Sequence, residues 1–343
     1  FFFFKQKTAY EIYQCDWSSD VCSSDLSLTV NLHLLMVSYF RPSGIRRKIV
    51  IEKGAFPSDQ YAVASQLKCH GLTVDECLIE LAPREGEATL RTDDIIAAIE
   101  EQGDEIALVL LGGVNYYTGQ AFRMREICEA GHRAGAMVGF DLAHAAGNLK
   151  VEMHDWDVDF AVWCSYKYLN GGPGAVAGAF VHERHARSFD MCRFAGWWGH
   201  DKETRFLMGP DFQPLPGAEG WQVSNPPILQ MAALRASLEI FDEVGMDALR
   251  EKSVRLTGFL ASLIDSIDDE RISVITPAEP DERGCQLSIR VAGAGRELHN
   301  RLNQRGVFCD WREPDVIRVA PAPLYNSFQD VYRFSEILRD SLV

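Results

Sequence analysis

An α/β fold built on a mostly parallel sheet is what this sequence predicts, and three observations predict it. Short apolar runs alternate with helical stretches through the first two thirds of the chain, and that alternation implies a parallel central sheet with helices on both faces. Two of the runs, Ala136-Met137-Val138-Gly139-Phe140 and Phe160-Ala161-Val162-Trp163, end in polar residues, Asp141 and the pair Tyr166-Lys167. In open α/β sheets, ligands bind at the carboxyl ends of the strands. Third, after Asn225-Pro226-Pro227 the pattern turns to long helices followed by short strands, as in a small α+β C-terminal domain.

In chain order, the first segment stands apart. Residues 1–26 begin Phe1-Phe2-Phe3-Phe4 without a methionine and carry no helical or strand period. They resemble translated sequencing-adapter read-through and are set aside as a non-native or disordered leader, so Cys15 and Cys22 count toward no metal site or disulfide. The large domain is expected over 27–235, incomplete on its N-terminal side, and the small domain with its linking helix over 236–343. Ile49-Val50-Ile51 reads as a strand. Pro57 opens a helix capped by Ser58 or Asp59. The helix from Thr92 or Asp93 stops at Gly103. Ile106 to Leu111 is a buried strand, Arg123 to Ala134 a crossover helix ended by Gly135, and Ala136 to Phe140 the next strand. Asp157 to Trp163 and Val176 to Val181 continue the sheet. The tail carries a strand over Gln286 to Val291, a helix over Arg296 to Arg305, short strands at Val307 to Asp310 and Val316 to Val319, and a closing helix from Ser327.

Bulk properties narrow the function. A chain of 343 residues that is 47% hydrophobic can bury a large core. Its formal charge of −15 and lack of a basic stripe exclude a general nucleic-acid binder. The longest apolar stretch, near Leu32 to Phe40, is broken by His33 and too short to span a bilayer. Nine cysteines form no C-x-x-C pair, which suits reduced thiols in a cytoplasmic protein. His182 and His185 have metal-like spacing, but Glu183 and Arg184 between them mark a solvated turn and no further ligand cluster follows, so no metal site is expected.

An amine and a carboxylate delivered at neighbouring strand ends are what pyridoxal 5′-phosphate (PLP) needs. Lys167 would form the Schiff base and Asp141 would pair with the pyridinium nitrogen. With these in place the chain resembles the kynureninases. The resemblance runs from Leu28 to the C-terminus through Leu28-Thr29-Val30-Asn31-Leu32-His33, Phe56-Pro57-Ser58-Asp59, Tyr117-Thr118-Gly119-Gln120, Phe140-Asp141-Leu142-Ala143-His144, Ser165-Tyr166-Lys167-Tyr168-Leu169-Asn170, Gly196-Trp197-Trp198-Gly199-His200, Ser224-Asn225-Pro226-Pro227 and Arg318-Val319-Ala320-Pro321. It implies PLP-dependent transferase fold type I, aspartate-aminotransferase-like, and hydrolysis of L-kynurenine or its 3-hydroxy form to the anthranilate and L-alanine.

Carried over by position, the resemblance implies Lys167, Tyr166 and Asp141 as catalytic residues, with Tyr166 a proton donor that also reaches the phosphate. Leu28 and Thr29 would bind phosphate, Phe56 would stack on the ring, and Asp59 would support its pyridine side. His144 would lie beside the ring or Asp141. Trp197 and Asn225 would reach the cofactor across a homodimer with a shared active site. Arg318 would take the substrate α-carboxylate in a bidentate grip, and His200 would face its aromatic end. Members of that family carry a hydroxyl residue where this chain has Gly112, and a long segment upstream of the Leu28-Thr29 motif, so the chain is expected to be N-terminally truncated. A cysteine desulfurase, an aminotransferase of the same fold, or an inactive truncated protein are the rival readings. Tyr166 stands where a desulfurase typically has histidine.

Overall fold

In the computed structural model, which describes residues 21–23 and 27–342, the apolar runs become the strands of two sheets. The larger sheet comprises β1 (Val21–Ser23), β2 (Lys48–Glu52), β3 (Leu78–Leu81), β4 (Ile106–Gly112), β5 (Met137–Asp141), β6 (Phe160–Cys164) and β7 (Ala177–Val181), in the order β1-β7-β6-β5-β4-β2-β3. Pairings from β3 across to β6 are parallel, whereas β7 and β1 pair antiparallel. Around them lie α1 (Leu28–Tyr39), α2 (Pro57–Cys69), α3 (Val74–Cys77), α4 (Thr92–Glu101), α5 (Met124–Arg133) and α6 (Ile228–Val244).

The chain divides into two compact units. One includes the residues up to Ala82, Leu90–Gly113 and Arg123–Glu243; the other comprises Pro83–Thr89, Val114–Phe122 and the residues from Val244. In the first unit, Leu32, Leu35, Met36 and Tyr39 of α1 and Val63 and Leu67 of α2 pack on Ile49, Ile51, Leu108, Leu110, Phe160 and Val162. Each of these large side chains is fully buried, worth about 1.5–3 kcal/mol apiece relative to exposure. Two sheet glycines make room for aromatic rings on the adjoining strand. A Cβ on Gly139 would lie 2.2 Å from the Phe160 ring, its register partner, and one on Gly178 would lie 2.2 Å from Trp163.

The second unit is a four-stranded antiparallel sheet, β8 (Ile272–Val274), β9 (Leu287–Val291), β10 (Asp310–Arg312) and β11 (Val316–Val319), in the order β10-β11-β9-β8. One face is covered by α7 (Met246–Asp265), α8 (Gly295–Gln304) and α9 (Phe328–Ser341), with Leu256, Leu260, Leu298, Leu302 and Leu338 meeting Leu287, Ile289 and Ile317. Ser327 starts α9 with a reciprocal capping box: its hydroxyl accepts from Asp330 N, and Asp330 Oδ2 accepts from Ser327 N at 2.8 Å. The segment 114–122 is pinned to the sheet of the same unit. Ser288 Oγ donates to Tyr117 O at 2.6 Å, Gln286 Nε2 to Tyr116 O at 3.1 Å, and Thr276 Oγ1 to Thr118 O.

Several local expectations shift. α2 has Phe56 at its N-cap and Pro57 in its first turn, so Asp59 sits inside the first turn rather than capping it. Arg91 precedes α4, and neither Thr92 nor Asp93 caps it. The strand expected from Asp157 begins at Phe160, because Asp157 adopts a left-handed conformation (φ 60°). The strand expected over Val307 to Asp310 runs over Asp310–Arg312. Within the leader, Val21–Ser23 pairs with the edge of β7 through backbone groups, which an edge strand offers to any extended segment. The rest of the leader, including Cys15, lies outside the described residues.

The turn carrying His182 and His185 is solvated at Glu183 and Arg184, as expected, but its histidines are not surface residues. His182 is 6% exposed, and both histidines belong to a polar network at the end of the sheet away from Lys167. Its centre is Asp159, which precedes β6 and is 2% exposed. Its Oδ2 accepts from Val138 N at 2.7 Å and meets His132 Nε2 at 2.9 Å; its Oδ1 meets His185 Nε2 at 2.7 Å and accepts from Arg184. Although burial opposes the charge, these hydrogen bonds hold the Asp159 carboxyl below its ordinary range. An arginine already fills the space between the acids, and no group that could hold a metal occurs among the described residues.

Candidate active site

Asp141 is the last residue of β5, level with Gly112 of β4 and Val162 of β6. Lys167 lies just past β6, in a turn closed by Asn170 N→Lys167 O at 3.1 Å and Gly171 N→Ser165 O at 2.8 Å. Two parallel neighbouring strands thus bring both residues to the carboxyl edge of the sheet. The two loops that carry them touch: Gly147 (φ 78°) approaches the Tyr168 backbone so closely that a Cβ would lie 2.9 Å from it. Asn148 Nδ2 donates to the His144 carbonyl at 2.9 Å, and the His144 ring meets Tyr168 edge-on at 5.9 Å.

Asp141 is buried, and its Oδ1 accepts from Ala143 N at 2.7 Å. Asp59 comes from the first turn of α2 and shares a side-chain hydrogen bond with Asp141, so one of the two carries the proton. Burial, then the charge of Asp141 and that shared bond, push the Asp59 carboxyl up to about 9. Burial raises Asp141 as well, opposed by the Ala143 N–H, the Asp59 bond and the charge of Lys167. Asp59 Oδ1 is enclosed and has no hydrogen-bond partner. A third buried acid, Glu52 at the end of β2, adds its charge to the pressure on Asp59.

Lys167 is half-buried. Its Nζ lies 5.7 Å from the centre of the Phe56 ring and 5.9 Å from that of Tyr166. Both rings are open to solvent, Phe56 at 41% and Tyr166 at 53%. The Tyr166 phenol is pushed up to about 12, chiefly by burial and then by Cys164, so it keeps its proton at neutral pH. At the start of α1, Thr29 Oγ1 and Ser58 Oγ of α2 share a hydrogen bond of 2.7 Å. Ser27 makes no side-chain cap, so the first-turn N–H groups around Leu28 and Thr29 have no helical acceptors. Two hydroxyls and a helix N-terminus form a suitable cradle for a dianion.

The remaining predicted residues of this unit lie on the long segment before α6. His200 Nδ1 accepts from Gln213 N at 3.1 Å and its Nε2 meets Thr204 Oγ1 at 3.2 Å. Trp197 meets Phe206 at 5.7 Å, with Arg205 at the same distance above its ring. Asn225 is exposed. In the other unit, Arg318 on β11 donates to the Tyr116 carbonyl and to Asp310. Sequence reading missed Ser58, Glu52, Tyr116, Asp310 and Arg312. Only the Asp310-Trp311-Arg312 alternation offered a signal, and three residues are too few for a period.

The residues present suit PLP: Lys167 offers an amine, Asp141 a buried carboxyl for a pyridinium N–H, and the unpartnered Asp59 Oδ1 leaves the acid pair short of a donor. This arrangement belongs to a known class. The chain superposes on a cysteine desulfurase from Thermococcus onnurineus NA1 with a TM-score of 0.79 at 15% identity, covering 98% of this chain and 82% of that one. An alanine–glyoxylate aminotransferase from Nostoc sp. matches with a TM-score of 0.72 at 17% identity, over 98% and 85%. At such identities the likeness defines the fold, that of the fold-type-I class.

Residues 249–338 match the kynureninase C-terminal domain. The chain is 63% identical over 308 residues to a kynureninase from Koribacter versatilis (90% of this chain, 73% of that protein), and 62% identical over 312 residues to one from Myxococcus xanthus (91% and 73%). It belongs to the kynureninase family.

Proposed function

We propose that the protein is a PLP-dependent hydrolase that cleaves the Cβ–Cγ bond of L-kynurenine or its 3-hydroxy form, giving the corresponding anthranilate and L-alanine, within tryptophan catabolism and NAD biosynthesis. The observation that carries the reading is the convergence of Lys167 with the Phe56 ring and with the buried Asp59–Asp141 acid pair, on both of which its charge acts. Family membership selects this reaction over those of desulfurases and aminotransferases.

When bound, PLP supplies a sink for the electron pairs released at the substrate carbons. Lys167 would anchor the cofactor, and its amine, when free, would move the Cα proton of the substrate. Asp141 holds a proton at the ring nitrogen, supported by Asp59, and the charge it keeps there raises the pull on those electrons. Phe56 covers the ring. The α1 N-terminus at Leu28 and Thr29, with the Tyr166 phenol, holds the phosphate, and His144 lies beside the ring. Tyr166 also donates a proton in the later steps, which its raised pKa suits. Arg318 takes the α-carboxylate, and His200 faces the aromatic end of the substrate.

A cytoplasmic homodimer with a shared active site fits the same picture, with Trp197 and Asn225 reaching the neighbouring copy's cofactor. Its support is the apolar turn Phe206-Leu207-Met208, each residue at least 74% exposed. The cysteines from Cys69 onward are free thiols, and no described helix is long and apolar enough to cross a membrane. The test is incubation of the PLP-loaded protein with L-kynurenine in the absence of any keto acid. Anthranilate fluorescence with one equivalent of alanine is expected. Anthranilate without alanine, or turnover only when a keto acid is added, would refute the hydrolase.

A further inference from the structure

The turn that follows β7, at the end of the sheet away from Lys167, is fastened by one imidazole in one protonation state. His182 caps the single helical turn Glu183–His185: its Nδ1 accepts from Arg184 N at 3.1 Å, and its carbonyl accepts from His185 N at 2.9 Å. On the other side of the ring, Nε2 lies 3.3 Å from Asp157 Oδ1. An acceptor at Nδ1 and a donor at Nε2 describe the neutral ring with its one proton on Nε2. A second proton would sit on Nδ1 and meet the Arg184 N–H, donor against donor. The ring is buried, with the His154 ring stacked on it at 4.9 Å, only 9° from parallel, and Phe180 edge-on at 6.3 Å. Burial, and then the charge of His154, hold the imidazole below its ordinary range. The capped turn carries the side chains that close the polar network. Arg184 bridges the carboxylates of Asp157 and Asp159 and donates to Asp157 O at 2.8 Å, while His185 Nε2 meets Asp159 Oδ1 at 2.7 Å.

We propose that His182 is an acid-sensitive latch: neutral, it caps the turn and holds the Arg184 bridge across Asp157 and Asp159; protonated, it gives up the Arg184 amide and the turn opens from the end of the sheet. In the open turn the ring is in water and titrates at its ordinary 6.5, whereas the closed turn resists the proton. The stability of the closed turn is therefore complete above that value and is lost as pH falls through it. The surrounding acids do not reverse the sign. Asp157 is largely exposed and already accepts from Arg184. Asp155 and Glu183 lie against His154, at 3.5 and 3.3 Å, and the pull of Glu183 on His182 is weaker than the opposition of burial and His154. His132 on α5 and His185 act in the opposite sense, since a proton on either strengthens its pair with Asp159. The direction of the pH effect thus separates His182 from them.

The experiment is amide hydrogen exchange of the full chain, read by mass spectrometry about one pH unit above and about one below that ordinary value and corrected for the intrinsic rate. The amides of Arg184, His185 and Ala186, bonded to His182 Nδ1, His182 O and Glu183 O, report the closed turn. In wild type the turn is expected to open up to about tenfold more often at the lower pH, the ratio for a group that takes its proton only when open. Peptides from β5 and β6 are expected not to change. His182→Asn places a capping oxygen near the position of Nδ1 with no proton to gain, and should protect the turn equally at both pH values. His182→Ala should leave it unprotected at both. If wild-type exchange in the turn does not depend on pH, or slows in acid, His182 is not the switch and the proposal falls. It falls equally if His182→Asn opens in acid as wild type does, or if His182→Ala stays protected at the higher pH.

Discussion

Two buried carboxyl groups that share a hydrogen bond, as those of Asp59 and Asp141 do, resist both being charged, because burial and mutual repulsion oppose a second charge. The consequence for stability has a definite sign. The folded value for Asp59, about 9, lies above the ordinary 3.8, so the folded chain keeps a proton that the unfolded chain releases between those values. Stability from this group is fully present below the window and is lost as pH rises through it. In cofactor-free protein the urea midpoint is therefore expected to fall with rising pH across this range, and to fall less steeply in Asp59→Asn. An equal slope in wild type and variant would show that Asp59 is not the group responsible. Ser58 and Glu52 add to the same end of the sheet, yet neither is marked in the sequence. A serine after Pro57 and a charged residue closing a strand have many ordinary reasons to be there, and only packing brings them to Asp59 and Thr29.

At the scale of elements, glycines facing aromatic rings explain why the central strands take the register they do. Phe160 lies where a side chain on Gly139 would be, and Trp163 lies over Gly178. Gly139→Ala is expected to destabilise the protein by about 1–3 kcal/mol, the usual cost of overfilling a packed core. Gly258→Ala, on the open side of α7 with no atom near the added methyl, is the control and is expected to gain up to about 1 kcal/mol. Denaturant midpoints of the two variants decide it, and a neutral Gly139→Ala would mean that the ring moves aside at little cost. The strands β4, β5 and β6 were legible because nearly every residue in them is apolar, as strands covered on both faces require. The antiparallel direction of β7 was not, since composition carries no direction. Nor was α1: Leu32, Leu35, Met36 and Tyr39 are all buried but so are Asn31 and Ser38, and the polar face that would reveal a helical period is narrow.

At the scale of the whole molecule, the chain spans about three quarters of the length of the kynureninases it matches. The strand-end pair Asp141 and Lys167 was readable because two parallel strands in sequence order deliver their ends to one edge. The place of Asp59 beside Asp141 came only from the family resemblance, because α2 and β5 are distant in sequence and meet only through the core. What the fold does with this edge is tested most directly by mapping the cofactor covalently. Protein incubated with PLP is reduced with borohydride, digested, and its peptides are sequenced by mass spectrometry. A single pyridoxyl adduct on Lys167, absent in Lys167→Ala, is expected. An adduct on another lysine, or none at all in folded protein, would contradict the site.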